Sequence, residues 1–380
     1  MRESTVSKSG KGPDGSPRGR TARYDRILER ARQGGGLCSD DIRFLLAQTD
    51  PVRVGRLFAA ARRLRQEHFD DRVFLYGFVY FSTFCRNDCA FCQHRRSNSA
   101  GQRHRKTAAD IMGAARLLAD EGVHLIDLTM GEDPRYFEDQ PAGFDRLAEK
   151  IRGVKSATGL PVMISPGVLP REVLRQMARA GADWYACYQE THNPGLFVAL
   201  RPHQGYSERR QAKVDAAGAG LLVEEGILCG VGETLSDIAE SIAEMGALGA
   251  DQVRVMSFVP QPGTPLAGRP APDALRELRI IAVMRLAFPD RLIPASLDVE
   301  GLDGLRCRME AGANVVTSLI APNAGLTGVA SLIRDIDTSR RMPAAVNSVL
   351  ARCGLTAAGR DDYRTWMSQR RRAGASAKNR

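Results

Sequence analysis

No apolar run in this 380-residue chain approaches the ~18 residues that a membrane-crossing helix needs. The N-terminus carries scattered Arg and Lys with no apolar stretch behind them, so it does not read as a secretory signal. Cysteine is scarce: eight in so long a chain are too few for a disulfide scaffold. No internal repeat is visible beyond an alternation of strands and helices. These absences point to a cytoplasmic globular protein, long enough for one large domain or two ordinary ones.

The net charge of +10 is concentrated at the ends. Residues 1–22 carry net +3 and residues 370–380 net +5, leaving about +2 for the rest. Both ends are poor in apolar residues, so disordered basic tails are expected over 1–22 and 367–380. A solubilising role suits them better than nucleic-acid binding.

Residues 23–70 read as helices: Tyr24 to Arg32, Ser39 to Gln48, and a longer one with Asp50 as N-cap and Pro51 at its first position. Val54, Leu57, Phe58, Ala61 and Leu64 give that last helix an apolar face for packing on the rest of the fold. From residue 71 to 350, short apolar runs alternate with amphipathic segments. Strands are expected at 73–83, 124–130, 161–167, 184–190, 221–228, 252–259, 291–298 and 314–320. Helices are expected at about 107–121, 143–157, 170–181, 207–218, 235–248 and 272–287, with a shorter one near 302–311. Repeated βα units imply parallel strands, and eight of them in roughly 250 residues fit an α/β fold, a (β/α)8 TIM-type barrel, better than an open sheet. Gly325 to Trp366 reads as helices and loops closing the outside.

Strand one runs into the densest chemical signal, Tyr76 to Cys92 (YGFVYFSTFCRNDCAFC). Cys85, Cys89 and Cys92 are spaced C-x3-C-x2-C, with Phe91 before the last. A zinc site would need a fourth ligand, and His94 is near in sequence. A four-iron cluster normally takes four cysteines, so three leave one iron open to a ligand that is not protein.

Cys85, Cys89, Phe91 and Cys92, after the first strand of a barrel, resemble the signature of the radical S-adenosylmethionine (SAM) superfamily. The resemblance implies a 4Fe-4S cluster on the three cysteines and S-adenosyl-L-methionine on the open iron. It also implies cleavage of the sulfonium to a 5′-deoxyadenosyl radical, chemistry that belongs to the cofactor. By the same resemblance Met130-Gly131-Glu132 is the turn that meets the methionine ammonium, and Arg209, in Tyr206-Ser207-Glu208-Arg209, meets its carboxylate. Glu190 is implied for the amino or ribose groups, Ser165 as a further cofactor contact, and GILCGVGE (Gly226 to Glu233, with Gly230) as the segment against adenine.

Within the superfamily, FLYGFVYFSTFCRND and the full strand count resemble the biotin synthase and hydrogenase-maturation branch. IDLTMGEDP, DQVRVMSFVPQPGTPL and IPASLDVEG look most like methylornithine synthase, over roughly residues 25–350. That implies a mutase isomerising L-lysine to (3R)-3-methyl-D-ornithine, the first step of pyrrolysine biosynthesis, supplied with electrons by an external donor such as flavodoxin or ferredoxin. The substrate positions so implied are Asp127, Arg254, Ser296 and Asp298. One guanidinium and two carboxylates mirror one carboxylate and two ammonium groups. No side chain is expected to act as acid or base in the hydrogen-transfer step.

Biotin synthase itself needs cysteines inside strands two, three and five for a second cluster. Strand two offers Asp127 and Thr129, strand three (PVMISPG) no cysteine, and strand five only Cys229. By parity Cys187 points outward, while Cys38, Cys307 and Cys353 are expected to pack as small hydrophobes. Sulfur insertion is therefore disfavoured. Another radical enzyme acting on a different small amino acid, and a non-enzymatic metal- or RNA-binding barrel, are the contrasting readings.

Overall fold

Strand β1 (Arg72–Ser82) sends Val73, Leu75, Val79 and Phe81 to one core and Phe74, Tyr76, Phe78 and Tyr80 to another. Side chains alternate across a pleated strand, so one strand buried on both faces can serve two cores. The computed structural model describes residues 17–100, 103–322 and 340–378. Residues 1–16 of the expected N-terminal tail and 325–339 of the expected closing segment lie outside them.

Seven further parallel strands complete the barrel: β2 (Leu125–Met130), β3 (Val162–Ser165), β4 (Trp184–Ala186), β5 (Leu222–Cys229), β6 (Gln252–Ser257), β7 (Pro294–Ser296) and β8 (Val315–Leu319). Their order is β6-β5-β4-β3-β2-β1-β8-β7, and a parallel bridge between Gln252 and Leu292 brings β6 to the chain entering β7. The result is a nearly closed (β/α)8 barrel, as the strand count predicts. The helices between strands pack on its outer face through one core, while Trp184, Leu222, Met163, Leu125 and Val315 fill the interior with the β1 aromatics.

The N-terminal helices Pro17–Arg32, Ser39–Leu46 and Pro51–Phe69 pack against the barrel helices Leu235–Ala247 and Ala274–Ala287. Asp50 caps the third by accepting from the Arg53 N–H at 3.0 Å, with Pro51 next. The first starts at Pro17, inside the stretch expected as tail.

At the other end the helix Arg360–Lys378 runs through most of the segment expected as a C-terminal tail. It plugs the N-terminal mouth of the barrel. Trp366 stacks on Trp184 with centroids 5.9 Å apart, Tyr363 Oη meets Tyr76 Oη at 2.7 Å, and Met367 is buried. Arg370 pairs with Asp251 at 2.8 Å and Arg371 with Asp183 at 2.9 Å, so these basic residues are docked on carboxylates. A short strand β9 (Thr356–Ala357) pairs with the start of β1. Among the described residues no helix is long and apolar enough to cross a membrane.

Candidate active site

Interior positions of the strands turn polar towards the C-terminal end of the barrel. On β2 Asp127 and Thr129 follow Leu125; on β5 Glu224 follows Leu222; Arg254 lies on β6 and Ser296 on β7. On β8 the alternation breaks. Ser318 sits at φ 65°, a left-handed conformation uncommon outside glycine, and the β1–β8 register shifts there. Its hydroxyl donates to Asp298 at 3.0 Å and lies 3.3 Å from Ser296 Oγ, so Ser318 as well as Thr317 reaches the interior network.

Above this layer is a cavity of about 230 Å³. Cys85, Cys89 and Cys92 line it with Phe91, Gly131, Glu132, Ser165, Glu190 and Arg209, which brings together every expected cluster and cofactor position except one. The exception is Gly230. It forms the turn after β5 (φ 93°) and donates its N–H to Glu233 at 2.9 Å, while Leu228 supplies the cavity wall. Leu228 belongs to an apolar ledge with Val231, Phe258 and Leu200, against which Phe91 packs. Such a ledge suits a flat ring.

The cysteine loop is held from several sides. Ser82, at the end of β1, donates to Asp133 at 2.6 Å, and Arg105 grips the same carboxylate with two bonds. Arg103 donates to the carbonyls of Thr83, His94, Arg95 and Asn98, crossing the loop like a strut. Gly131 is required by contact: a Cβ there would lie 2.5 Å from the Phe84 carbonyl oxygen and 2.8 Å from Cys85 Cβ. Burial, followed by the neighbouring thiols Cys89 and Cys85, pushes the Cys92 thiol well up. Arg201 and Gln204 direct N–H groups at Cys89 Sγ, at 3.3 and 3.2 Å, as they would at a thiolate. The thiols do not form a single-ion shell: among the described residues no three Cys, His, Asp or Glu side chains gather as one metal ion would need. His94 is buried in the cavity wall with neither ring nitrogen hydrogen-bonded. Three thiols with N–H donors on one of them, beside an apolar ledge, fit a 4Fe-4S cluster carrying S-adenosylmethionine.

The carboxylates near the cluster are already engaged. Glu132 accepts from the Val168 N–H at 3.0 Å and from Arg86 at 2.9 Å, with Arg209 3.8 Å away. Glu190, at φ 68°, accepts from Arg201 at 2.6 Å, and burial raises its pKa. Arg209 itself donates to the Tyr188 carbonyl at 2.8 Å. Arg201 touches Cys89, Glu190 and the Phe91 face at once. It lies on no motif, and sequence reasoning missed it.

The four expected substrate residues sit one layer deeper, each touching a residue of the cavity wall or of the layer itself. Asp127 accepts from Ser165 at 3.0 Å. Arg254 stacks over Tyr188 and approaches Met256. Asp298 accepts from Tyr80 at 3.3 Å and Ser296 lies between Ser318 and the Asp298 N–H. Asp298 also lines a neighbouring cavity that shares Ser257, Phe258 and Val259 with the first. Two ion-pair partners in this layer were not foreseen. Glu224 takes the Arg254 Nε at 2.6 Å and the Tyr188 hydroxyl at 3.0 Å, and Arg341 pairs with Asp298 at 2.7 Å. Among the described residues, Asp127 Oδ2, Thr129 Oγ1 and Arg254 Nη2 are buried in or beside the layer without a well-formed hydrogen bond. Burial of such groups without partners costs free energy unless a ligand completes them.

The remaining cysteines divide. Cys187 packs in the outer core, as its parity predicts, and also reaches the cavity wall. Cys229 is buried near Ser257. Cys38 and Cys307 are exposed and Cys353 half-buried, so the first two do not pack as small hydrophobes; each lies at a helix boundary or within a helix on the surface.

A model of the radical SAM superfamily matches residues 79–245. The chain is 42% identical over 340 residues to a 3-methylornithine synthase of Methanosarcina barkeri, covering 90% of this chain and 96% of that protein. It is 31% identical over 263 residues to the FeFe-hydrogenase maturase subunit HydE of Thermotoga maritima, covering 68% and 74%. A crystal structure of methylornithine synthase superposes with a TM-score of 0.84 at 41% identity, over 90% of this chain and 99% of that one.

Proposed function

The chain belongs to the radical SAM superfamily and, within it, to the 3-methylornithine synthases; from that membership we propose how its own residues isomerise L-lysine to 3-methylornithine. One observation carries the assignment of the substrate pocket. Among the described residues, buried atoms of the inner layer without a well-formed hydrogen bond include a carboxylate oxygen of Asp127 and a guanidinium nitrogen of Arg254, the complement of an amino acid's ammonium and carboxylate groups.

Cys85, Cys89 and Cys92 would hold the cluster, with S-adenosylmethionine along Phe91, Leu228, Glu190 and Arg209. Cluster and cofactor together supply a radical that removes hydrogen from the substrate. The rest falls to the protein. Arg254, anchored through Nε by Glu224, offers Nη2 to the lysine carboxylate. Asp127 offers Oδ2 to an ammonium group; Asp298 and Ser296 take the second. Both ends of the substrate are then fixed while carbon fragments separate and rejoin, so recombination follows one path. The aromatic floor beneath and the apolar ledge above keep water from the reacting carbons.

Electrons come from an external one-electron donor such as flavodoxin or ferredoxin. None of the eight cysteines is paired in a disulfide, which supports a reducing, cytoplasmic location. The direct test is anaerobic reconstitution followed by reductant, S-adenosylmethionine and lysine, with mass spectrometry of derivatised products. 3-Methylornithine is the expected product; cofactor cleavage with lysine left intact defeats the substrate assignment. Cys89→Ala is expected to lose the cluster and all turnover, and a variant that still bound four irons and turned over would remove the cluster assignment.

A further inference from the structure

Of the three carboxylates in the inner layer, two have a cation of their own. Glu224 has Arg254 at 2.6 Å and Asp298 has Arg341 at 2.7 Å. Asp127 has none: among the described residues no Arg, Lys or His stands within ion-pair distance of it. Its Oδ1 accepts from the Ser165 hydroxyl, its Oδ2 has only the nearby Thr129 hydroxyl and no cation, and the residue is 1% exposed. A carboxylate so placed is strongly disfavoured, and a proton is the simplest remedy.

We propose that Asp127 is a proton-linked anchor: the free enzyme carries it as a carboxylic acid, and binding of the diamino acid expels that proton to solvent. The inference rests on the reading of this pocket as a lysine site. Lysine's ammonium groups stay protonated throughout; one of them replaces the proton as the partner of Asp127, so charge in the layer is balanced before and after binding. Before binding, Glu224–Arg254 and Asp298–Arg341 cancel and Asp127 is neutral. After binding, Asp127 becomes an anion and lysine brings net +1.

The groups around Asp127 set the balance between its acid and its anion. Tyr80 from β1 and Tyr188 after β4 are neutral phenols, raised well above their ordinary range by burial. The hydroxyls of Ser165 from β3 and Thr129 from β2 stabilise the anion, whereas Glu224 from β5 adds a second negative charge that disfavours it. Arg254 from β6 acts in the opposite sense, but its charge is shared with Glu224. Burial first and Glu224 second push the Asp127 carboxyl up to about 7.

Calorimetry tests this on reconstituted holoenzyme with S-adenosylmethionine and no reductant, so that nothing turns over. L-Lysine is titrated at pH 6, 7 and 8 in buffers of different ionisation enthalpy. The expected release is about one proton per lysine at pH 6, about half at pH 7 and almost none at pH 8, with affinity about tenfold tighter at pH 8 than at pH 6. Lysine binding without proton release at pH 6 overturns the inference and leaves the lysine reading standing. No lysine binding in any buffer overturns both. Asp127→Asn is expected to bind more weakly and release no proton; release that persists in it assigns the proton elsewhere and defeats the proposal. Should that variant not fold, Glu224→Gln keeps the acid and is expected to move the release window to lower pH; an unmoved window is equally fatal. Infrared difference spectra should show a protonated-carboxyl band disappearing on lysine addition, and its persistence counts against the proposal.

Discussion

Glu224 and Glu225 are neighbours on β5, both fully buried, and they face opposite ways. Glu225 points to the helices. It pairs with Lys213, has His192 3.6 Å away, and accepts the backbone N–H groups of Gln189 and Gly226 at 2.8 Å each. Burial alone would raise its pKa, yet Lys213 and His192 hold the carboxyl down at about 2. Glu224 points into the barrel, where Arg254 and Tyr188 meet it but Asp127 Oδ2 and Arg254 Nη2 stay unmatched. Both have a cation, but the outer group forms a brace with its own, while the inner one shares its layer with polar atoms that lack a well-formed bond. The same residue type on the same strand therefore braces the fold on one face and, on the other, lies in the layer proposed to receive the substrate.

Substitutions on each side sharpen that contrast. Arg254→Gln is expected to have the largest effect, lowering kcat/KM for lysine by on the order of 10²–10³-fold, because it removes the carboxylate anchor and leaves Glu224 without its cation. Steady-state kinetics check it, and a loss confined to thermal stability with kcat/KM intact would make the inner layer a brace as well.

Lys213→Met should act the other way. Leaving Glu225 uncompensated costs about 3–5 kcal/mol of stability, while KM for lysine stays unchanged. The pH dependence has a defined sign. Glu225 is depressed in the folded state, so its contribution is present above its unfolded value of 4.5 and is lost as pH falls towards about 2. Denaturation of wild type and variant across pH 2–6 should show this acid-dependent part only in wild type. A variant with normal stability and a raised KM would erase the distinction between the two faces.

Trp366→Ala probes the floor beneath the inner layer and carries the smallest expected effect. Losing the half-buried ring stacked on Trp184 should cost about 2 kcal/mol and lower Tm without moving KM. A shift in KM would mean that the plug sets the position of the polar layer above it.

Much of this site is local in the chain, which is why it was readable. The cysteine spacing, the apolar strand before it and the period-two placement of Asp127 with Thr129 and of Ser296 with Asp298 are all properties of short segments. The eight strands fall where apolar runs predict them, although β4 and β7 are only three residues long. Their polar ends bend out of the ladder, as at Glu190, which keeps one bridge to Ile227. The partners were not readable. Arg341 reaches Asp298 from 43 residues away, Arg201 meets Cys89 across 112, and Tyr363 closes on Tyr76 across 287. No periodicity or motif marks them. Arginines on the surface and in the core look alike in a sequence, and the expectation of a basic C-terminal tail failed for that reason: Arg370 and Arg371 are held by carboxylates of the barrel.

By itself, the sequence determined where the candidate residues lie: three thiols at ligand spacing on a loop after a buried strand, and acidic and basic side chains at interior parities. Tertiary structure alone decided which of those charges are satisfied. Pairing depends on distances between strands brought together by barrel closure, and a buried charge is stable or reactive according to what stands within a few ångströms of it. That is how Glu225 became a brace while Asp127 was left without a cation of its own.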